Sequence, residues 1–371
     1  FFVNEKEYVV PMATEEPSVI AAASGAAKTI KSAGGFKSHI HSRQMIGQVA
    51  LIDIPHADQA IQIIENQEDV LIQAAHTSYP SIVKRGGGVR SLSVEYLPAT
   101  ETEQDFLVVY LSVDTQEAMG ANILNTMLEG ISPLLEEMTG GTALMGILSN
   151  YATNSLVTTR CSVPFDLLKY KKIEGEELAQ KISAASQLAQ SDVYRATTHN
   201  KGIMNGVDAL VLATGNDWRA VEAGMHAYAA RDGRYRGLSR WWIEDDCLVG
   251  EMTAPLAIGT VGGSIKLHPY AQASFEILNI ESGQAEAANE LAGLIAALGL
   301  AQNFAALRAL VSEGIQKGHM ALQAKSLAIS VGAEADEVQA VVRQLKLAKS
   351  MNQATAQTIL DQHRKNKKEE I

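Results

Sequence analysis

The sequence predicts an α+β protein in which a small α+β module is inserted into a larger, mostly helical domain. Its 371 residues exceed one typical hydrophobic core, so two domains, or one domain with an insertion, are expected. Short β-type runs surround a helical stretch between residues 44 and 149, whereas helical patterns dominate 174–230 and 284–330. A hydrophobic fraction of 46% and a charged fraction of 20% are typical of globular proteins.

The first element is an Ala-rich helix over residues 17–33. Pro17 suits its first turn, and Gly34-Gly35 suits its end. The module that follows contains β-type runs at Gly47–Ile54 and Phe106–Val113 around a helix near Ala57–Ala75. Within the same module, the Gly86–Gly88 cluster precedes a strand, residues 117–138 favour a helix, and a turn at Gly140-Gly141 precedes Met145–Ser149.

The second half begins with helices over 174–230, within which Ala209–Ala213 resembles an apolar strand. Strands with Gly-rich turns are expected over Gly250–Ile265. The apolar run Gly293–Val311 is interrupted by Gln302, Asn303 and Arg308, which favours a buried helix over a membrane span. Residues 335–371 show two amphipathic helical patterns and end in a basic, solvated tail.

The composition excludes several classes of function. A net charge of -11 argues against nonspecific nucleic-acid binding, so an anionic substrate requires a local cationic pocket. The two cysteines, Cys161 and Cys247, are too few for a disulfide framework or a zinc site, and no Cys/His spacing suggests a metal. Cytoplasm is therefore the expected compartment. The sequence contains no GxGxxG, Walker A or GxSxG motif.

Two glycine-containing loops are candidates for phosphate binding. They are Lys84–Gly88 and Glu117–Asn122, and in the second the small residues allow the amides of a helix start to approach a pyrophosphate. Either loop taken alone is more often an ordinary turn.

Polar clusters interrupt the apolar chain at three further places. Glu15–Ser18 lies at a helix start, where capping is the simpler explanation. Arg195–Asn205 crowds a cation, hydroxyls and amides together, and a polar loop would explain it as well. Gly215–Arg219 follows the apolar run, where Asp217 either acts in a site or caps the next helix. His319, taken alone, is a surface or partly buried histidine.

Six separated motifs together resemble the class II 3-hydroxy-3-methylglutaryl-CoA (HMG-CoA) reductases. They are PMATEEPSV at 11–19, EAMGAN at 117–122, THNKGIMNG at 198–206, ATGNDWRAVEAG at 213–224, GTVGG at 259–263 and GHM at 318–320. The resemblance runs across essentially the whole chain. It implies an oxidoreductase of the mevalonate pathway of isoprenoid biosynthesis, which converts HMG-CoA and two NAD(P)H into mevalonate, coenzyme A and two oxidised cofactors.

The resemblance also implies a role for particular residues. The catalytic set is Glu16, Lys201, Asp217 and His319. The substrate-binding set is Ser18, Arg195, Asn205 and Asn150. The cofactor-binding set is Lys84, Arg85, Gly86, Gly87, Glu117, Met119, Gly120 and Asn122. The family motif usually begins with Asp, whereas this chain has Glu117, so the dinucleotide contacts at that position are open.

These residue types suit the chemistry of thioester reduction. A buried Lys201 ammonium would stabilise the developing oxyanion, and Asp217 would balance its charge. Protonated His319 would supply a proton to the departing thiolate, and Glu16 would act as the acid for the second reduction. Because a helix start lowers a carboxyl pKa, Glu16 is expected to be enclosed and close to both Asp217 and Lys201.

The cofactor expected is NADPH, with NADH as the weaker candidate. Relatives that prefer NADH carry an acid near the turn before the glycine cluster. Residues 78–85 here contain no acid and end in Lys84 and Arg85, so a 2′-phosphate would be accommodated.

The resemblance implies a large HMG-CoA domain (1–43 and 150–320), a small NAD(P)H domain (44–149) and a C-terminal helical flap (321–371) that brings His319 into place. A homodimer with interfacial active sites is expected. Because the chain opens without an initiator methionine, an upstream segment is expected, which relatives use for a Glu-Asn-Val-Ile/Val-Gly motif. The alternatives are a non-redox CoA-thioester binding module, an inactive truncated fragment, and fusion to an upstream enzyme domain.

Overall fold

A computed structural model describes residues 1–263, 265–312, 314, 324–325, 327–348 and 350–369. The mixed helix-and-sheet class predicted from the sequence is confirmed. The strands are β1 (Phe2–Val3), β2 (Lys6–Glu7), β3 (Lys37–Ile40), β4 (Met45–Ile52), β5 (Gly88–Leu97), β6 (Phe106–Asp114), β7 (Thr142–Leu148), β8 (Leu156–Pro164), β9 (Ser239–Glu244) and β10 (Cys247–Pro255). The helices are α1 (Pro17–Ser32), α2 (Ala57–Asn66), α3 (Glu68–Ser78), α4 (Pro80–Lys84), α5 (Ala121–Thr139), α6 (Phe165–Leu168), α7 (Gly175–Ser191), α8 (Val193–Ala213), α9 (Trp218–Ala229), α10 (Pro269–Leu278), α11 (Ala287–Val311), α12 (Val338–Leu345) and α13 (Gln353–Glu369).

One antiparallel sheet has the strand order β3-β8-β10-β9 and shares a hydrophobic core with α1, α7, α8 and α11. Helix α11 lies at the centre of this core. It is long and apolar enough to cross a membrane, but 72% of its apolar window is buried in the protein. It therefore has the burial of a core helix, as the sequence analysis expected. The close packing of α8 on α11 requires Gly206, because a Cβ there would lie 3.0 Å from the Leu298 carbonyl oxygen.

The second antiparallel sheet has the order β5-β6-β4-β7 and lies wholly between residues 45 and 148. Helices α2, α3 and α5 pack on it around a separate core that includes Leu51, Leu111 and Met127. This second core explains why the 44–149 region stands out in the sequence as a module with its own β and helical patterns.

A third, smaller cluster of apolar residues lies near the C-terminus and joins α12 to α13. Arg364 on α13 forms an ion pair with Glu337, with Nη2 2.7 Å from Oε2, and also donates to the Gly332 carbonyl at 2.9 Å. The hydrogen bonds of Arg364 hold the pKa of Glu337 down at about 2. Both amphipathic helical patterns predicted for residues 335–371 are present.

Several local predictions were wrong. Ala209–Ala213 is the last turn of α8 rather than a strand, because Leu210 and Val211 complete the buried face that α8 packs into the core. The polar run 195–205 likewise lies inside α8 and is not a loop. The predicted helix 57–75 is divided at Gln67, which ends α2 and precedes α3. Strand β9 was not predicted.

Candidate active site

Helix α8 carries three of the predicted site residues. Its start is fixed by Asp192, whose side chain accepts a hydrogen bond from the Arg195 amide at 2.7 Å. Arg195 is half-buried, and burial lowers the pKa of its guanidinium, whose Nε has no hydrogen-bond partner among the described residues. Lys201 is exposed, and the half-buried Asn205 lies one helical turn further along the same face. Helix α8 therefore carries two cations, Arg195 and Lys201, and the side-chain amide of Asn205.

Glu16 and Ser18 lie at the start of α1. The Ser18 hydroxyl donates to Glu16 Oε1, and the Glu16 side chain makes no capping hydrogen bond to the helix amides. Glu16 is therefore the N-cap residue of α1 by position, without the side-chain hydrogen bond of a typical cap. The preceding segment is fastened to α8, because the Ala13 amide donates to the Ala209 carbonyl at 2.9 Å. The N-terminus of α1 is thus attached to the helix that carries Lys201.

Asp217 is the residue for which capping is correct. Its Oδ1 accepts from the Arg219 and Ala220 amides, each at 3.1 Å, so it begins α9. Its side chain remains 45% exposed, and Arg219 Nε lies 3.8 Å from the same Oδ1. Asn150 is exposed and lies against α9, where a Cβ on Gly224 would stand 2.6 Å from the Asn150 carbonyl oxygen.

The predicted enclosure of the catalytic set is wrong for the single subunit. Glu16 is only half-buried, and both Lys201 and Asp217 are exposed. The reason lies in the periodicity of α8, because Lys201 falls outside its buried face, which consists of residues 196, 199, 200, 203, 204, 206, 207 and 209–211. His319 lies outside the described residues.

Two carboxyl groups near Lys201 were missed by the sequence analysis. Asp208 follows Lys201 by seven residues, about two turns along the same face of α8. Its side chain lies near Glu222 of α9, and its Oδ1 is buried with no partner in the described part of the chain. Burial, reinforced by Glu222 and opposed by Lys201, raises the pKa of Asp208 to about 8. The seven-residue spacing in the sequence was the available signal.

The two predicted cofactor loops are neighbours in the second sheet, at the end where β5 begins and β6 finishes. Gly88 opens β5 opposite Asp114, the last residue of β6. A Cβ on Gly87 would lie 2.5 Å from the Asp114 carbonyl oxygen and 3.0 Å from the Gln116 side chain, so only glycine allows this contact. Lys84 and Arg85 are exposed directly before the cluster, where Gly86 adopts a φ of +89°.

The second loop leads into the start of α5. Gly120 is the N-cap with a φ of +105°, and a Cβ there would lie 2.2 Å from Thr115 Cγ2. Met119 is half-buried, and Asn122 in the first turn is exposed. The amides of a helix start are suitable donors for the phosphates of a dinucleotide, and the neighbouring loop adds the exposed cations Lys84 and Arg85.

The carboxylate of Glu117 is directed away from this surface. Its Oε2 accepts from the Thr260 hydroxyl at 3.1 Å and from the Ala288 amide, in the first turn of α11, at 2.7 Å. At this position the structure shows contacts within the protein that the sequence analysis did not anticipate.

Comparison with known proteins agrees with these features. The family model described as hydroxymethylglutaryl-coenzyme A reductase matches residues 1–324. The 3-hydroxy-3-methylglutaryl-coenzyme A reductase of Archaeoglobus fulgidus is 43% identical over 92% of this chain and 76% of its own length. A probable enzyme of the same name from Borreliella burgdorferi is 36% identical over 88% of this chain and 72% of its own.

Solved structures are also similar to this fold. A 3-hydroxy-3-methylglutaryl-coenzyme A reductase from Streptococcus pneumoniae superposes with a TM-score of 0.81 and 56% identity, over 97% of this chain and 84% of that one. The class II enzyme from the same organism, bound to NADPH in open conformations, gives a TM-score of 0.80 and 56% identity over 98% of this chain and 86% of that one.

Proposed function

This chain belongs to the hydroxymethylglutaryl-coenzyme A reductase family, and from that premise we propose that it reduces the thioester of HMG-CoA to mevalonate with two equivalents of NADPH and releases coenzyme A. The observation that carries the proposal is the attachment of α1 to α8, which joins the element bearing Glu16 to the element bearing Lys201. The similarity to the class II enzyme extends over nearly the whole chain.

The proposed domain assignment follows the separate cores. Residues 1–43 and 150–320 would bind HMG-CoA, residues 44–149 would bind the dinucleotide, and residues 321–371 would form the flap. Support comes from the second sheet, which has its own core and carries both glycine loops at one edge. The small third cluster, held by the Glu337–Arg364 pair, suits a flap that moves as a unit.

NADPH is the proposed cofactor, in preference to NADH. The residues present fit it, since the exposed Lys84 and Arg85 precede the glycine cluster and offer charge to a 2′-phosphate. The start of α5, with Gly120, Ala121 and Asn122, would receive the pyrophosphate. When bound, the nicotinamide supplies hydride to the carbonyl carbon.

The protein's own residues would stabilise the negative charge on oxygen and donate the protons. The Lys201 ammonium would lie at the thioester oxygen and stabilise negative charge there, an effect worth about 3 kcal/mol for one well-placed donor. Asp217, held by the amides of α9, would orient that ammonium. Glu16 would donate the proton to the aldehyde oxygen in the second reduction. His319, outside the described residues, would protonate the coenzyme A thiolate.

Ser18, Arg195, Asn205 and Asn150 would hold the HMG moiety. Arg195 suits its carboxylate, because a half-buried guanidinium whose Nε lacks a partner among the described residues gains from pairing with an anion. We also propose a cytoplasmic homodimer with active sites at the subunit interface. The exposure of Lys201 and Asp217 in the single subunit supports this arrangement, since a second subunit would supply the desolvation that the chemistry requires.

The test is a stoichiometric assay of NADPH oxidation at 340 nm. Two NADPH should disappear per mevalonate formed, and only when HMG-CoA is present. Glu16→Gln should lower kcat by about 100-fold or more while KM for HMG-CoA changes little, because the lost proton donor acts in the chemical step. Glu15→Gln, at the exposed neighbouring acid, is the matched control and should retain activity. Binding of HMG-CoA without turnover would favour the non-redox alternative.

A further inference from the structure

A short segment, Ile258–Val261, lies between the candidate cofactor loop and the candidate catalytic loop; it is called the bridging segment here. On one side, the Thr260 and Val261 amides donate to the Glu117 carbonyl at 2.9 and 3.3 Å. Ala118 also pairs with Val261 as an isolated parallel bridge. The loop that leads into α5 is therefore bonded along its backbone to a segment outside the second sheet.

The backbones of the bridging segment and the cofactor loop are in close contact at Gly259. A Cβ on Gly259 would lie 2.6 Å from the Met119 nitrogen and 3.1 Å from the Glu117 carbonyl oxygen. Any side chain at position 259 would displace the cofactor loop. This explains the first glycine of the GTVGG motif without assigning it to a ligand.

On its other side, the bridging segment is bonded to Asn216. The Asn216 Nδ2 donates to the Gly259 carbonyl at 3.0 Å, and the Gly259 amide donates to Asn216 Oδ1 at 2.8 Å. Asn216 is buried, and its backbone amide donates to the Val211 carbonyl at 3.0 Å, so both its side chain and its backbone are held by hydrogen bonds. The next residue is Asp217, so the position of the proposed catalytic carboxylate depends on this pair of bonds.

Two charged side chains complete the connection. Glu117 Oε2 accepts from Thr260 and from the α11 amide of Ala288. Arg43, the last residue before the 44–149 region, donates to the carbonyls of Gln116 at 2.7 Å, Ala118 at 3.0 Å and Ile258 at 2.8 Å. Burial lowers the pKa of Arg43, and the charge of Glu117 partly offsets this.

We propose that Glu117, Arg43 and Asn216 are positioning residues that fix the cofactor loop relative to Asp217 through the bridging segment. The inference rests on the proposed function and deepens it. Hydride transfer requires reacting atoms held within a few tenths of an ångström of a productive geometry, and a displacement of about 1 Å costs on the order of 100-fold in rate. These hydrogen bonds, called the brace below, hold Glu117 and Asp217 in a fixed relative position, although about one hundred positions separate them in the sequence.

The proposal differs from a direct contact between Glu117 and the dinucleotide. A contact residue that is removed weakens cofactor binding, whereas a positioning residue that is removed slows the hydride step in a complex that still forms. The variants are therefore Glu117→Ala, which removes the acceptor, and Glu117→Gln, which keeps one acceptor oxygen. Glu129→Ala, at an exposed acid on α5, is the matched control.

Four quantities are measured on the full chain: kcat, the NADPH Kd from fluorescence titration, the isotope effect with 4-deuterated NADPH, and backbone hydrogen exchange. For Glu117→Ala we expect kcat about 10- to 100-fold lower, a larger isotope effect and a Kd within about 3-fold of the unsubstituted protein. Exchange should accelerate at the amides of residues 118–122 and 259–261. Glu117→Gln should recover most of kcat, and Glu129→Ala should match the unsubstituted protein in all four.

A Kd raised about 10-fold at constant kcat would overturn the proposal in favour of direct contact. A lower kcat with an unchanged isotope effect would also overturn it, because that result indicates less folded enzyme rather than a slower hydride step. Should Glu117→Ala fail to fold, Thr260→Val, which removes the hydroxyl donor to Glu117, is combined with Asn216→Ala in a double-mutant cycle, and strictly additive losses of kcat would overturn the proposal. If the unsubstituted protein does not oxidise NADPH with HMG-CoA, the proposed function fails, while the exchange rates still decide whether the brace exists.

Discussion

The inner and outer faces of α8 differ sharply in their surroundings, although His199 and Lys201 are only two residues apart. On the inner face, His199 Nε2 lies 2.7 Å from Ser239 Oγ and 3.1 Å from Asn303 Nδ2. Asn303 Oδ1 in turn accepts from Ser239 at 2.8 Å and from Trp241 Nε1 at 2.8 Å. On the outer face, Lys201 is exposed and has no comparable network of side-chain hydrogen bonds in the described part of the chain.

The electrostatics of the two faces differ in the same way. Burial, together with the charge of Arg195, lowers the pKa of His199 to about 3, so its ring is neutral across the physiological range. His199 on the inner face therefore stays uncharged near neutral pH, and its hydrogen bonds fix α8 to β9 and α11. The outer face keeps its charge free to act. A helix can present a precisely placed cation because its other side is immobilised.

The sharpest way to break the comparison is to remove the cation from the outer face. Lys201→Met should lower kcat by about 100- to 1,000-fold, the loss associated with one oxyanion-stabilising donor. Its free energy of unfolding should stay within about 0.5 kcal/mol, because the side chain is exposed. Steady-state assays and urea unfolding measure the two quantities.

Lys181→Met is the control for this variant. Lys181 lies on the neighbouring helix α7, is similarly exposed, and pairs with Glu177 at 2.6 Å. Its removal costs a surface ion pair and should leave kcat unchanged. Equal activity losses in the two variants would show that net charge, rather than the position of Lys201, is responsible.

The second prediction removes the anchor from the inner face. His199→Leu should destabilise the protein by about 2–4 kcal/mol, because the buried groups of Ser239 and Asn303 lose a partner. His199→Gln, which retains a donor and an acceptor, should lose less. Urea unfolding monitored by tryptophan fluorescence reports the change, since Trp241 belongs to the network.

For both variants, kcat per folded molecule should change much less than in Lys201→Met. If His199→Leu were as stable as the unsubstituted protein, the network would not hold the helix, and the division of α8 into an anchoring face and a reacting face would fail.

The sequence predicted the elements of this region better than their bonds. The family resemblance is confirmed, and the motifs located the starts of α1, α5 and α9, but not the start of α8. However, three similar-looking acids proved to have different environments. Glu16 begins α1 without a side-chain hydrogen bond to its amides, Asp217 accepts such bonds from α9, and Glu117 bonds to Thr260 and α11. All three are acids beside helix starts, and only tertiary contacts distinguish them.

The same limit explains the misassigned segments. Ala209–Ala213 is a short, continuous apolar run, which periodicity alone does not assign to strand or helix, and it forms the buried last turn of α8. The pairing of Asp208 with Glu222 depends on the angle at which α9 returns past α8, which no local pattern encodes. By contrast, the buried 287–311 helix was predictable because its apolar composition covers its whole circumference.

The smallest predicted effect contrasts the two faces through pH. On the inner face, the folded pKa of His199 (about 3) lies below its ordinary value of 6.5. The folded state then binds fewer protons than the unfolded state, so this group's stability is present above pH 6.5 and is lost as the pH falls from 6.5 towards 3. On the outer face, the folded pKa of Asp208 (about 8) lies above its ordinary 3.8, so its contribution is lost as the pH rises from 3.8 to 8.

The two groups therefore oppose each other where their windows overlap, between pH 3.8 and 6.5. His199→Gln should make the free energy of unfolding rise less steeply with pH in that window, and Asp208→Asn should make it rise more steeply, because each variant removes one slope. Urea unfolding at several pH values measures both. Since the neighbouring Glu222 helps to raise the pKa of Asp208, Glu222→Gln should shift the profile in the same direction as Asp208→Asn. An opposite shift, or no shift, in Glu222→Gln would show that Glu222 does not raise the pKa of Asp208.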